Sequence, residues 1–142
     1  MEIRDLYDFA QQQNIEVIPF PLPENGSMSI MEEDGSCYIG MDASIRDGGR
    51  EERVHLSHEI GHCVTGSFYN IYAAIDCRQR HENRADKWAV SHVISVDDLD
   101  EAVAEGCTEI WELAERFGVT EEFVRKAVCY YVHGNVATEL YF

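Results

Sequence analysis

Positive charge is scarce in this chain of 142 residues, which has 11 lysines and arginines against 27 aspartates and glutamates, a formal net charge of −16. Binding to DNA or RNA rests chiefly on cationic contacts to phosphates, so we expect no nucleic-acid partner. Long apolar runs are also missing, so no segment is expected to span a membrane. The N-terminus lacks the basic region and apolar stretch of a secretory signal. We therefore expect a cytoplasmic protein without a membrane partner.

Cysteine patterns typical of disulfide frameworks or metal sites are missing too. The five cysteines form no C-x-x-C pair, and their number is odd. In a chain expected to be cytoplasmic, this favours reduced, buried thiols over a disulfide framework. The cysteines are Cys37, Cys63, Cys77, Cys107 and Cys129.

The most informative motif present is His58-Glu59-Ile60-Gly61-His62. Residues i and i+4 lie on the same face of a helix, so His58 and His62 can hold one metal while Glu59 faces the water beside it. Gly61 has no side chain and lets another element pack close to this helix. Two neutral imidazoles leave zinc short of its usual four ligands, so a third protein ligand must come from elsewhere.

A second acidic pair supplies the candidate for that third ligand. Glu82 and Asp86 are four residues apart and share one face of a second predicted helix. We predict Glu82 as the third ligand, with the fourth position open for water. Asp76 is an alternative ligand, but it has no acidic partner four residues on. The metzincin pattern needs a histidine six residues beyond the motif, and Phe68 stands there.

Hydrophobic periodicity and turn residues predict an α+β fold in one domain, residues 1–142. The expected architecture is a small antiparallel sheet packed on the two metal-binding helices, followed by a C-terminal bundle of short helices. Residues 1–94 would form the catalytic part and residues 95–142 the helical part. The predicted elements are an N-terminal helix, strands at 15–18, 27–32 and 36–41, helices at about 50–64 and 80–94, and short helices at 97–105, 109–117 and 121–133.

Two of the short helices, within residues 111–128, resemble a helix-turn-helix with Gly118 at the turn. Residues 109–133 contain five acidic residues against Arg116, Arg125 and Lys126. Because such a face repels phosphates, we interpret the shape as one for packing or for a protein partner. Thr108 and Thr120 are the expected N-terminal caps of these helices.

The residues around the two metal motifs are similar to those of known metallopeptidases. The H-E-x-x-H motif followed by Glu82-x-x-x-Asp86 resembles the gluzincin pattern, in which the glutamate binds zinc and the aspartate orients a ligand histidine. The longer stretches resemble the ImmA/IrrE family of metallopeptidases, which are found on bacterial mobile elements and in stress regulation. The resemblance covers roughly residues 10–130. Where this chain has Asp86 and Trp88, that family usually has Asn and Phe. The stretches are Arg53-Val54-His55-Leu56-Ser57-His58-Glu59-Ile60-Gly61-His62 and Glu82-Asn83-Arg84-Ala85-Asp86-Lys87-Trp88-Ala89.

The resemblance implies a zinc-dependent metalloendopeptidase, in which manganese can replace zinc. Zinc on His58, His62 and Glu82 would lower the pKa of its water and polarise the scissile carbonyl. Glu59 would take the proton from that water and deliver it to the leaving amine. Asp86 would accept a hydrogen bond from one ligand histidine and fix its tautomer.

The same resemblance implies a narrow protein substrate, a helix-turn-helix repressor encoded by a phage or mobile element. The acidic chain is compatible with it, since the DNA-binding face of such a repressor is basic. The alternative is a non-catalytic anti-repressor or antitoxin-type module that sequesters a protein partner. The complete set of Glu59 and the three predicted ligands argues against a retired enzyme. Nothing in the sequence indicates an oligomeric state.

Two further features of a peptidase site are expected. In gluzincin-like peptidases an edge strand beside the zinc helix pairs with the substrate backbone, and residues 38–41 are the candidate, with an ordinary core strand as the alternative. An oxyanion-stabilising side chain should also be present. The sequence offers five candidates: Tyr69, Tyr72, His55, His81 and His92.

Overall fold

The computed structural model describes residues 1–68 and 74–142, apart from the side chains of residues 75 and 76. It has three strands, six α-helices and two short 3₁₀ turns, so the α+β fold class is confirmed for the described chain. In chain order the elements are α1 Ile3–Gln12, β1 Ile15–Pro19, β2 Ser27–Met31, β3 Cys37–Met41, a 3₁₀ turn Ala43–Ile45, α2 Arg50–Thr65, α3 Ile75–Val93, α4 Val96–Ala104, α5 Ile110–Phe117, α6 Glu121–His133 and a 3₁₀ turn Thr138–Leu140.

The sheet is mixed, with strand order β1-β3-β2. β2 and β3 form an antiparallel hairpin, whereas β1 pairs with β3 in parallel, so the predicted purely antiparallel sheet is wrong at β1. β3 lies in the centre and is buried along almost its whole length. The prediction that residues 38–41 form an edge strand is therefore wrong, and β2 is the edge that lies nearest the two histidines. A central strand that is buried on both faces has a nearly continuous apolar sequence, and the sequence of β3 is of this kind.

The two long helices, α2 and α3, cross closely at Gly61. A Cβ atom added to Gly61 would lie 2.6 Å from the carbonyl oxygen of Ala85, well inside van der Waals contact. Ala85 itself is fully buried. The predicted role of Gly61 is confirmed, and the crossing brings the polar faces of both helices together.

Arg53 joins the predicted catalytic part to the helical part. Its guanidinium donates to the backbone carbonyls of Phe117 and Gly118, at the end of α5, and pairs with the carboxylate of Glu2 at 2.6 Å. Gly118 adopts a left-handed conformation with φ of +64° and leaves room for that guanidinium. The helical part is thereby fixed against α2.

Several helix ends differ from the predictions. α3 begins at Ile75, five residues before the expected start. Thr120 caps α6 as predicted, because its hydroxyl accepts from the Phe123 amide. The predicted cap at Thr108 is wrong, since α5 begins one residue later with Glu109 at its N-cap. Among the described residues, no helix is long and apolar enough to cross a membrane.

Cys37 and Cys63 form a disulfide that joins β3 to α2. The expectation of reduced thiols is wrong for this pair, whereas Cys107 and Cys129 are free thiols. The bond follows from tertiary packing, because the sheet lies over α2 and brings the two Cα atoms to 6.0 Å. A separation of 26 residues carries no sequence signal for such a pairing.

Candidate active site

Three predicted ligands meet where α2 faces α3. The Nε2 atom of His58 lies 2.8 Å from Oε2 of Glu82, and Nε2 of His62 lies 3.3 Å from the same oxygen. The three candidate ligand atoms all lie within 4.8 Å of one another. The helical spacing of the histidines supplies two corners of this cluster, and the close crossing at Gly61 supplies the third.

The cluster fits a divalent metal. Bonds of about 2.0–2.2 Å in a tetrahedral site place neighbouring ligand atoms about 3.3–3.6 Å apart, which a small adjustment of these side chains achieves. Two imidazoles and one carboxylate form a typical catalytic donor set, with a fourth position left for water. His58, His62 and Glu82 could therefore hold a metal ion.

Both imidazoles are oriented through their second ring nitrogen. The Nδ1 atom of His58 lies 2.8 Å from a carboxylate oxygen of Asp86, and Nδ1 of His62 lies 2.5 Å from the backbone carbonyl of Ser67. Because a carbonyl only accepts, His62 carries its proton on Nδ1 and presents Nε2 to the cluster. Asp86 thus lies beside His58, one of the predicted ligands, as expected from the sequence. The sequence did not predict the contact of Ser67 with His62. The left-handed turn at Gly66 folds the chain back and brings this carbonyl to His62.

The carboxylates hold the cluster strongly charged in the protein without metal. Burial alone would lower the pKa of His58, but hydrogen bonds to Asp86 and Glu82 outweigh burial and raise this pKa to about 10. Burial would also lower the pKa of His62, but the hydrogen bond to Glu82 helps to raise the pKa of this histidine. The pKa of Glu82 is lowered, because the two histidines outweigh its burial. A metal must therefore displace a proton from His58.

Lys126 reaches the cluster from α6. Its ammonium lies 3.1 Å from the second carboxylate oxygen of Asp86, whose first oxygen contacts His58. The pKa of Asp86 is lowered, because hydrogen bonding and charge from His58, and then the charge of Lys126, outweigh burial. Sequence reasoning missed Lys126, which is distant in the chain from both metal motifs.

Glu59, the predicted catalytic base, is buried beside the predicted ligands. The hydroxyl of Ser27, the first residue of β2, donates to Oε2 of Glu59 at 2.8 Å. The same hydroxyl lies 2.7 Å from Nδ1 of His55, one turn before His58 on α2. Sequence reasoning missed Ser27, because only the packing of β2 on α2 brings it there.

Two adjoining cavities of about 430 and 400 Å³ open over the cluster, and both are lined by His58, Glu59 and Glu82. On one side the wall comes from α6, with Phe123 and Lys126. On the other side it comes from the β2 edge and the chain after α2. The residues on that side are Met28, Ser29, Ser67 and Phe68. The cleft therefore combines the predicted catalytic and helical parts of the chain.

The residues predicted as candidates for stabilising the oxyanion do not all lie at the cleft. His55 is the one candidate histidine among the described residues that line the two cavities. His92 instead stacks on the ring of Trp88, with centroids 4.0 Å apart. Tyr69 and Tyr72 lie outside the described residues, as does the side chain of the alternative ligand Asp76.

Two histidines and a glutamate that could hold a metal, with a carboxylate beside them in an open cleft, define a metallopeptidase-type site. A peptidase family model described as the IrrE N-terminal-like domain matches residues 10–128 of the chain. The protein belongs to this family, the ImmA/IrrE metallopeptidases. The match runs from α1 into α6 and so includes both walls of the cleft. No curated protein matches the chain significantly.

Proposed function

We propose that the protein is a zinc-dependent metalloendopeptidase, with manganese as a possible replacement. The observation that carries this proposal is the convergence of three ligand atoms within 4.8 Å, next to a buried glutamate in the same cleft. His58, His62 and Glu82 would hold the metal. When bound, the metal supplies Lewis acidity that activates water and polarises the scissile carbonyl.

The protein side chains provide the proton transfers and the orientation. Glu59 accepts the proton of the attacking water and then delivers it to the leaving amine, so one carboxylate is base first and acid later. Asp86 and the carbonyl of Ser67 keep the rings of His58 and His62 turned toward Glu82.

The open edge of β2 is suited to hold an extended substrate backbone. The Asp42 amide donates to Gly26 and the Glu32 amide donates to Ser36, so hydrogen-bonded pairs fall on the even-numbered positions of β2. By the alternation of an antiparallel ladder, the backbone groups of Ser27 and Ser29 point away from β3. Since Ser29 lines the cleft, we assign the substrate-pairing role to β2.

The substrate we propose is a helix-turn-helix transcriptional repressor encoded by the same phage or mobile element. Two facts support a basic protein partner: the family to which the chain belongs and its formal net charge of −16. Opposite electrostatic fields speed the encounter of two proteins, most strongly at low salt.

The test is to incubate the zinc- or manganese-loaded protein with the repressor encoded beside it. We expect one cut in wild type and none with Glu59→Gln, which keeps the shape of the side chain but removes the base. A repressor that is bound but left intact by the loaded wild-type protein would support the sequestering module and reject the peptidase.

A further inference from the structure

A hydrogen-bonded chain runs from α2 through β2 back to α2 and ends on the catalytic base. His55 contacts Ser27 at 2.7 Å, and Ser27 contacts Oε2 of Glu59 at 2.8 Å. Ser27 and Glu59 are both buried, with relative exposures of 7% each. Solvent therefore competes little for these bonds.

The direction of the chain follows from the donors available. Ser27 has one hydroxyl proton, which it donates to the carboxylate of Glu59. Its oxygen must then accept from His55, so Nδ1 of His55 carries a proton. This holds for the neutral ring and for the protonated ring alike. The Nε2 atom of His55 lies 3.5 Å from a carboxylate oxygen of Glu51 on the same helix.

Gly26 makes room for this arrangement. A Cβ atom at Gly26 would lie 3.0 Å from Cε1 of His55, closer than side chains normally approach. The glycine also has a positive φ of +80°, which strains other residues. The start of β2 is thus shaped so that the imidazole can lie beside Ser27.

We propose that Ser27 and His55 are positioning residues for Glu59. Ser27 fixes one carboxylate oxygen and thereby leaves the other for the attacking water, and His55 fixes the direction of the Ser27 hydroxyl. A glutamate carboxylate otherwise rotates about its last torsion in a broad, two-fold potential. The catalytic consequence rests on the proposed peptidase function, whereas the hydrogen-bonded chain can be tested without it.

The test without catalysis is an NMR measurement of the ring nitrogens of His55 in ¹⁵N-labelled protein. In the neutral ring we expect the single proton on Nδ1, which is the minor tautomer of free histidine. Ser27→Ala should remove this preference. A wild-type ring with its proton on Nε2 would overturn the proposal.

The catalytic test uses matched variants on the repressor encoded beside the protein. His55→Leu and His55→Asn have nearly equal shape, but only the asparagine keeps an N–H close to the position of Nδ1. We expect His55→Leu to lower kcat about tenfold and His55→Asn to stay within about threefold of wild type, with KM and metal content unchanged. Ser27→Ala should lower kcat by about 10- to 100-fold, because a small displacement of a reacting group is costly.

The outcomes separate the two proposals. Equal kcat in His55→Leu and His55→Asn, or full kcat in Ser27→Ala, would overturn the positioning role in an active enzyme. A wild type that cuts no better than Glu59→Gln, while the His55 tautomer is as expected, would reject the peptidase function and with it the catalytic role, but leave the hydrogen-bonded chain in place. Circular dichroism melting of each variant identifies any loss that comes from unfolding.

Discussion

Reduction of the Cys37–Cys63 disulfide should destabilise the protein by an amount that its loop length determines. In the chain-entropy treatment, a bond that closes 26 residues removes about 12 cal/mol/K from the unfolded chain, or about 3.5 kcal/mol at 25 °C. For a chain of this size each kcal/mol moves the melting temperature by about 2–4 °C. We therefore expect reduction to lower the melting temperature by about 7–14 °C.

The assay is thermal unfolding of the oxidised protein with and without dithiothreitol, which leaves every side chain in place. Cys37→Ala should melt at one temperature under both conditions, whereas Cys107→Ala should remain as sensitive to reductant as wild type. Thiol titration of the denatured protein should count two more thiols after reduction than before, since the bond joins two cysteines. An equal thiol count before and after reduction, or an equal melting temperature in both conditions for an oxidised wild type, would refute the reasoning.

Three further predictions concern the helix crossing, the start of α2 and the metal cluster. Gly61→Ala places a methyl group 2.6 Å from the Ala85 carbonyl oxygen and should cost about 1–3 kcal/mol by overpacking, and an unchanged midpoint in urea would contradict this. Tyr7→Phe removes the 2.6 Å hydrogen bond to the buried Glu52 carboxylate and should cost about 1–3 kcal/mol in the same assay, with no loss expected if Glu52 were solvated. Because the pKa of His58 is raised to about 10, this ring is protonated at pH 7.5 in the protein without metal, and zinc binding should release about one proton or more. Calorimetry in buffers of different ionisation enthalpy measures that release, and apparent zinc affinity should rise with pH up to about 10. An enthalpy that is independent of the buffer would contradict it.

Local spacing was sufficient to predict which side chains meet in the cluster that could hold a metal. His58 and His62 share a helical face, as do Glu82 and Asp86, and each pair was predicted from a four-residue separation. Gly61 was likewise predicted to allow a close crossing, because an absent side chain has a direct steric consequence. These features depend on neighbours in sequence, so the sequence is informative about them.

Features that depend on the path of the chain in space were not predicted. β3 pairs between β1 and β2, parallel to β1 and antiparallel to β2. No local sequence pattern indicates this strand order. The contacts of Ser27 with Glu59 and of Lys126 with Asp86 likewise join residues 32 and 40 positions apart. A serine at the start of a strand and a lysine on a helix are common at protein surfaces. Only the tertiary structure shows that Ser27 and Lys126 contact residues of the site.

The most direct test of a metallopeptidase site is metal content measured together with cleavage. Elemental analysis after zinc loading should find about one zinc per chain in wild type and in Glu59→Gln, and far less in Glu82→Ala. Of these three proteins, only wild type should cut the repressor. No bound zinc in wild type, or cleavage that survives Glu59→Gln, would contradict the account.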